Sequence, residues 1–242
     1  MIKQLIVGEY DLSDWGVQFG SKSLYNAPKR NVENISVPGR NGDVIIDHGN
    51  WENIDVTYSC FIEGKAKERI FDLKQVIISQ LGYVKISDSE NLDEFRLGYY
   101  KEGLDDINPS LEVKNIKFNI TFNCKPQRFL SAGDEWHSLK NGDRLYNPTL
   151  FAFSPLFKIQ TSDSDYGYIE IDGYSIKVKN THGVEYLYID TETMQCYSDN
   201  ELLNDCVEFS SDNTLKVAPG GRQVSISSNI YNVEVKTRWF TL

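Results

Sequence analysis

Residues 53–62 read NIDVTYSCFI, and apolar and polar side chains alternate along this run. A period of two is typical of a β-strand with one face buried and the other in water. The polar face carries Asp55, Thr57 and Ser59. The apolar face is formed by Ile54, Val56, Tyr58, Cys60 and Ile62. The run therefore predicts a half-buried strand.

A longer run with the same alternation covers residues 111–124, LEVKNIKFNITFNC. Near Asn115 its apolar phase moves from odd to even positions, which indicates a β-bulge. The apolar face beyond that point is formed by Ile116, Phe118, Ile120, Phe122 and Cys124. This run predicts a second strand of the same kind.

The segment between the two runs, residues 64–82, predicts a helix. Its apolar residues recur at i, i+4, i+7 and i+11, and Gly82 is suited to the C′ position. The apolar positions are Ala66, Ile70, Leu73, Ile77 and Leu81. The opposite face carries Lys67, Glu68, Lys74 and Gln75. An amphipathic helix of this kind packs one side on a sheet, so residues 1–135 are predicted to form an α+β domain with an antiparallel sheet.

Residues 125–148 are rich in polar residues, glycine and proline, and we place a domain boundary there. Beyond it, turn signals such as Asp172-Gly173 and His182-Gly183 separate short strand-like runs. These runs cover 156–160, 167–172, 174–179, 185–190, 193–197, 214–217, 223–227 and 230–240. Many short strands at this spacing predict a β-sandwich over residues 136–242. The whole chain is therefore predicted to be mainly β.

Composition argues against two classes of partner. The 242 residues include 25 Lys and Arg against 35 Asp and Glu, a net charge of −10, and the acidic excess is shared evenly between the two predicted domains. Nucleic-acid affinity comes largely from basic residues that neutralise phosphates, so no nucleic-acid binding is expected. Anionic membranes are unsuitable for the same reason. The N-terminus lacks the pattern of a signal peptide, so we expect synthesis and folding in the cytoplasm.

The sequence predicts no catalytic, cofactor-binding or metal-binding residues. It contains no GxSxG, HExxH, Walker or GxGxxG motif, although a paired-carboxylate glycosidase is defined by a distance and stays open. The four cysteines form no CxxC pair, which argues against structural zinc. Cys60 and Cys124 occupy alternating apolar positions of the two strand-like runs, which favours buried, reduced thiols. Asp163 and Asp165 have the spacing of calcium ligands, but a solvated turn is the preferred interpretation.

One segment has the sequence of a hairpin, namely residues 35–46, ISVPGRNGDVII. Asn41-Gly42 suits a two-residue type I′ turn between runs 35–37 and 43–46, and Pro38, which has no N–H, suits an edge strand. The residues that carry the pattern are Pro38, Gly39, Arg40, Asn41, Gly42 and Asp43.

This hairpin, followed by His48 and the run NIDVTYSCFI, resembles the N-terminal domain of the distal tail proteins of siphophages that infect Gram-positive bacteria. The resemblance continues through the predicted helix and the strand that ends at Phe122–Pro126. It extends into the second domain through the following short segments: Asn147-Pro148, Phe153–Phe157, Tyr188–Asp190, Cys196-Tyr197, Pro219–Gly221 and Arg238-Trp239.

The resemblance implies a structural protein of the virion, assembled in the host cytoplasm. Members of that family form a homo-hexameric ring at the tail tip, closed by the N-terminal domains, with C-terminal sandwiches of the galectin or carbohydrate-module type outside it. The ring joins the tail tube protein to the tail-associated lysin or hub protein, and receptor-binding or upper baseplate proteins can attach at its periphery. DNA passes through the central channel without specific binding. The resemblance makes residues 38–43 candidates for a ring or tube contact.

Two other functions stay open at this point. The first is a monomeric carbohydrate-binding or adhesion module, in which the sandwich presents Tyr and Trp to host cell-wall polysaccharide. Long inserted sugar-binding modules are absent between the strand-like runs of residues 149–242, which argues against it. The second is a wall-degrading hydrolase, against which the lack of any catalytic motif argues.

Overall fold

The computed structural model describes residues 3–23, 26–64, 66–104, 115–161, 166–179, 182–199 and 201–242. The chain divides into two compact units, one of residues 1–128 with Leu242 and the other of residues 129–241. The sequence places its proposed boundary at residue 135, a few positions later in the chain. Each unit has its own hydrophobic core.

Nine described strands belong to the first unit. They are β1 (Leu5–Val7), β2 (Tyr10–Asp11), β3 (Val17–Lys22), β4 (Arg30–Ile35), β5 (Val44–Trp51), β6 (Ile54–Glu63), β7 (Val84–Asp88), β8 (Glu94–Glu102) and β9 (Asn115–Cys124). Seven of them form an antiparallel sheet in the order β2-β1-β7-β8-β9-β6-β3. The other two, β4 and β5, pair only with each other as a separate two-stranded sheet.

The two alternating runs form neighbouring strands of the large sheet. β6 and β9 pair without a break from Ile54 opposite Cys124 to Glu63 opposite Asn115. All ten residues predicted for the two apolar faces are buried in one core, which confirms the prediction. The bulge expected near Asn115 falls at the edge of residues 105–114, which lie outside the described residues.

One α-helix, α1 (Ala66–Ile78), is found among the described residues, and it packs on the sheet of the first unit. Ile70, Leu73 and Ile77 are buried as predicted. Leu81 was predicted on the same face, but this was wrong, because the helix ends at Ile78 and Leu81 is 90% exposed. Gly82 has the positive φ of a C′ residue, yet it lies four positions beyond the last helical residue. No described helix has the length and apolar composition needed to cross a membrane.

A buried ion pair links two strands that are not neighbours in the sheet, Lys22 at the end of β3 and Asp88 at the end of β7. The Nζ atom of Lys22 lies 2.8 and 2.6 Å from the two carboxylate oxygens of Asp88, and the side chains are only 8% and 5% exposed. The hydroxyl of Tyr58 donates to the same carboxylate at 3.0 Å. The amide oxygen of Asn91 accepts a third bond from Lys22. The sheet therefore curls far enough to bring β3 and β7 together around one satisfied polar cluster.

Thirteen described strands follow from residue 128 onward. They are β10 (Arg128–Leu130), β11 (His137–Ser138), β12 (Arg144–Asn147), β13 (Leu156–Thr161), β14 (Gly167–Ile171), β15 (Tyr174–Val178), β16 (Leu187–Asp190), β17 (Gln195–Ser198), β18 (Glu201–Leu202), β19 (Val207–Phe209), β20 (Gly220–Ile226), β21 (Ile230–Lys236) and β22 (Phe240–Thr241). Two antiparallel sheets, β11-β21-β13-β16-β17-β18 and β12-β20-β14-β15-β19, enclose the second core. The predicted β-sandwich and the mainly-β class are confirmed.

In the sandwich, the local sequence predicts one hairpin turn correctly and one strand incorrectly. Asp172 and Gly173 both have positive φ, and Ile171 pairs with Tyr174, so they form the two-residue hairpin turn that the sequence indicates. The run 214–217 was predicted as a strand, which was wrong. Among those residues only Val217 forms a β-bridge, with Phe153, and it belongs to no named strand.

Several residues that carry the family resemblance in this unit have structural roles. The buried side chain of Asn147 donates to the carbonyl oxygens of Phe151 and Val217 at 2.9 and 3.0 Å. Its amide oxygen accepts from the N–H and the hydroxyl of Thr149. A buried amide with its bonds satisfied in this way fixes the chain at the start of the sandwich.

Asp190 and Arg238, which also carry the resemblance, form a bidentate ion pair. Two guanidinium nitrogens of Arg238 lie 2.8 and 2.9 Å from the two carboxylate oxygens of Asp190. Burial by itself would raise the pKa of the Asp190 carboxyl, but the hydrogen bonds and charge of Arg238 outweigh it and hold that pKa below its usual range. The pair joins the end of β16 to the segment after β21.

Asp190→Asn is expected to lower the free energy of unfolding at neutral pH, and by a smaller amount in acid. Because the folded-state pKa of Asp190 is depressed, its stabilisation is present above the ordinary aspartate pKa of about 3.9 and is lost as the pH falls through the folded value. Urea unfolding from pH 7 to pH 3 measures this dependence. A difference between wild type and variant that stays constant over that range would contradict it.

Candidate functional site

The most distinctive surface of the first unit is the β4–β5 hairpin. No residue from 29 to 53, a range that the structure describes in full, is buried. The two strands pair with each other from Arg30 opposite Trp51 to Ile35 opposite Val44. A two-stranded ribbon in water is marginally stable by itself. A ribbon of this length with no buried residue is therefore suited to being covered by another molecule.

Apolar side chains lie on both faces of this hairpin. Cross-strand partners in an antiparallel pair point to the same face. Ile35 pairs with Val44 on one face, and Ile45 pairs with Asn34 on the other. Ile45 and Ile46 are successive residues of β5, so they point to opposite faces, and they are 64% and 42% exposed. Both faces of the ribbon therefore offer apolar surface to a partner.

The tip of the hairpin differs from the turn predicted for it. The N–H of Arg40 donates to the carbonyl oxygen of Val37 at 3.1 Å, and Gly39 has φ of 82°. Proline at the second position and glycine at the third are typical of a type II turn, so Pro38-Gly39 form the turn. The predicted type I′ turn at Asn41-Gly42 was wrong, because only Gly42 of that pair has positive φ and the strands end at Ile35 and begin again at Val44.

All six residues singled out from the sequence lie in this connection between the strands. Each of them is exposed: Pro38, Gly39, Arg40, Asn41, Gly42 and Asp43. They bring one cation and one carboxylate to the tip, while the larger apolar area lies along the strands. The turn chemistry of the sequence indicated the tip but not Ile45 and Ile46, although both lie in the same segment, 35–46.

Contacts at the base join the two strands of the ribbon. The N–H of Glu52 donates to the carbonyl oxygen of Lys29 at 2.8 Å, which closes the hairpin where it leaves the sheet. Arg30 forms an ion pair with Asp47 at 3.1 Å, and its guanidinium lies 5.0 Å from the centre of the Trp51 ring. A cation–π contact and an ion pair on one arginine stiffen the base. Sequence reasoning did not identify these residues, because the partners are 17 or more positions apart.

The sandwich contains a row of aromatic rings, which the carbohydrate-binding alternative would need. The Tyr188 and Tyr197 rings are directly opposite on β16 and β17 and stack with their centres 5.4 Å apart at 12°. The ring of Trp136 lies 6.1 Å from that of Tyr188. Because the Tyr188 and Tyr197 rings stack on each other, one face of each is covered and unavailable to a sugar. Mutual contacts of this kind are typical of side-chain packing.

The cysteines have the environment of core residues. All four are buried and none forms a disulfide, which agrees with the buried positions predicted for Cys60 and Cys124. Burial raises the pKa of the Cys60, Cys124 and Cys196 thiols to about 12. A thiol nucleophile needs the thiolate near neutral pH, so these three groups are poor nucleophiles in the folded protein. The Asp163 and Asp165 pair lies outside the described residues.

Comparison with solved structures identifies the fold. The Dit protein of phage SPP1, described as a paradigm of the hub of the adsorption apparatus in phages that infect Gram-positive bacteria, matches with a TM-score of 0.72 and 12% identity over 97% of this chain and 98% of that one. The phage P2 baseplate, in activated conformations with Ca and with Sr, matches with TM-scores of 0.60 at 13% and 12% identity, over 97% of each chain. No protein-family model and no curated protein sequence matches the chain. The resemblance to distal tail proteins is therefore confirmed as a likeness of fold over nearly the whole chain.

Proposed function

We propose that this protein is a structural, non-enzymatic hub of a phage tail tip, and that six copies assemble into a ring. The observation that carries the proposal is the β4–β5 hairpin, which is apolar on both faces and covered on neither, on a fold shared with the SPP1 Dit protein. The protein acts in the virion after assembly in the host cytoplasm.

A ring explains why a hairpin of this kind is present. Each subunit of a ring uses two different surfaces, one for each neighbour. A projecting ribbon can supply one of these surfaces through its apolar side chains and its strand edges. The tip residues, Pro38 to Asp43, are proposed to contact the next subunit or the tube.

The overall charge supports a central channel that conducts DNA without binding it. The chain has a net charge of −10, and its acidic excess is spread over both units. A net negative charge repels phosphate, and the sequence contains no block of basic residues that would hold it. The proposed neighbours are the tail tube protein on one side and the tail-associated lysin or hub protein on the other. Receptor-binding or upper baseplate proteins are proposed to attach at the periphery.

The mass of the purified protein in solution tests the ring. A hexamer of this 27.7 kDa chain has a mass of about 166 kDa, measurable by light scattering over a concentration series. We expect that species to grow with concentration and to form rings with a central hole in negative stain. A strict monomer at every concentration, together with saturable binding of host wall polysaccharide, would instead favour the monomeric adhesion module.

A further inference from the structure

Three side chains that bind transition metals lie close together in the second unit. They are His182, Asp205 and Cys206, and one ligand atom of each lies within 4.8 Å of the others. The histidine is 23 positions before the aspartate, so the cluster does not correspond to a motif of closely spaced ligands in the sequence. The proposed assembly function uses none of the three residues.

The backbone places these residues before any ion binds. His182 has φ of 52°, in the left-handed region that residues other than glycine rarely adopt, and Gly183 follows at 73°. Asp205 and Cys206 belong to the short 3-10 turn Asn204–Cys206. The N–H of Lys179 donates to the carbonyl oxygen of Cys206 at 2.8 Å, which joins the end of β15 to that turn. The ligands therefore come from two turns, and a main-chain bond holds the second turn, Asn204–Cys206, to the end of β15.

The donor atoms define the class of ion. Nitrogen, carboxylate oxygen and sulfur together suit zinc, whereas magnesium and calcium take oxygen ligands. The Nε2 atom of His182 lies 2.8 Å from Oδ2 of Asp205, and both side chains are exposed. Zinc bonds of about 2.0–2.3 Å place tetrahedral ligand atoms roughly 3–4 Å apart, so shifts of about 1 Å would bring the three atoms around one ion.

We propose that His182, Asp205 and Cys206 bind one zinc ion, with water as the fourth ligand on the exposed side. On binding, the Cys206 thiol releases its proton to solvent and the thiolate sulfur bonds to the metal. The imidazole binds as the neutral base, and the carboxylate exchanges its hydrogen bond to His182 for a bond to the ion. Nothing is oxidised or reduced, and the ion cross-links the two turns.

Cobalt is the probe for this site, because tetrahedral Co²⁺ replaces zinc and absorbs light. Tag-free, chelator-treated protein is titrated with Co²⁺ and then with Zn²⁺. We expect one Co²⁺ to bind per chain and to produce a thiolate-to-cobalt charge-transfer band. Added zinc should displace the cobalt, so that the band disappears. Cobalt binding without that band, or the absence of saturable binding, overturns the proposal.

Variants assign the ligands. His182→Gln and Asp205→Asn alter exposed side chains, so the fold should be kept, and each is expected to weaken cobalt affinity at least about tenfold. Cys206→Ser should lose the charge-transfer band. Cys196→Ser is the matched control, because Cys196 is the other buried cysteine of the same core and lies outside the cluster. The assignment is overturned if His182→Gln and Asp205→Asn both bind cobalt as tightly as the wild type. It is also overturned if Cys196→Ser loses the charge-transfer band.

Discussion

Replacing Ile45 and Ile46 together by aspartate is expected to abolish the ring and leave a folded monomer. The two side chains lie on opposite faces of β5 and are 64% and 42% exposed in the single chain, so the fold loses little by their replacement. Full burial of an isoleucine stabilises by about 1.5–3 kcal/mol, and in the proposed ring only the part of each side chain that is exposed in the single chain is newly buried. Loss of both is therefore expected to weaken each contact between subunits by about 2–3 kcal/mol, or roughly 30- to 150-fold. Light scattering measures the loss of the hexamer, and circular dichroism measures the retained fold.

Leu150→Asp is the matched control for this double variant. Leu150 is strongly exposed and belongs to the second unit, whereas the hairpin belongs to the first. The Leu150→Asp protein should form rings like the wild type. Rings of normal mass from the Ile45→Asp, Ile46→Asp protein would contradict the assignment of the hairpin to the interface.

The tip is tested separately by Asn41→Val with Gly42→Val. Gly42 has φ of 81°, a conformation that valine adopts only with strain, while its surroundings are open. The substitution therefore changes the connection between the strands without disturbing a core, and we expect ring formation to be lost. If this variant assembles while the Ile45, Ile46 variant does not, the strands form the contact and the tip does not.

Asp88→Ala is expected to lower the free energy of unfolding of the first unit by about 3–5 kcal/mol. The substitution leaves the Lys22 ammonium buried without its counter-charge and removes the acceptor of the Tyr58 hydroxyl. An unpaired buried charge costs far more than the loss of a surface pair. Urea unfolding, followed by a signal from the first unit, measures the change.

Glu90→Ala is the control, because Glu90 is two positions away and pairs with Lys3 at a more exposed site. We expect it to change stability by no more than about 1 kcal/mol. Lys22→Met with Asp88→Leu removes both charges and should recover part of the loss. An Asp88→Ala effect as small as that of Glu90→Ala would mean that the buried pair contributes no more than a surface pair.

The elements predicted most accurately are those specified by short-range patterns. β6 and β9 alternate with a period of two, and every predicted core residue on them is buried. The Asp172-Gly173 turn needs positive φ at both residues, a local requirement that the two residue types meet. One error came where two local signals competed. Residues 38–42 contain two candidate turns, and Pro38-Gly39 forms the turn instead of Asn41-Gly42.

Patterns within a few residues were sufficient to predict the alternation of β6 and β9, the buried Ile70, Leu73 and Ile77 of α1, and the mainly-β class. Tertiary structure alone decided which distant groups meet. The carboxylate of Asp88 lies beside Lys22 only because the sheet curls, and Asp205 lies beside His182 although the two are 23 positions apart in the sequence. The tertiary structure also leaves the hairpin exposed, because the burial of a segment depends on which other parts of the chain pack against it. Contacts between distant residues depend on the packing of whole elements, which no local pattern of residues encodes.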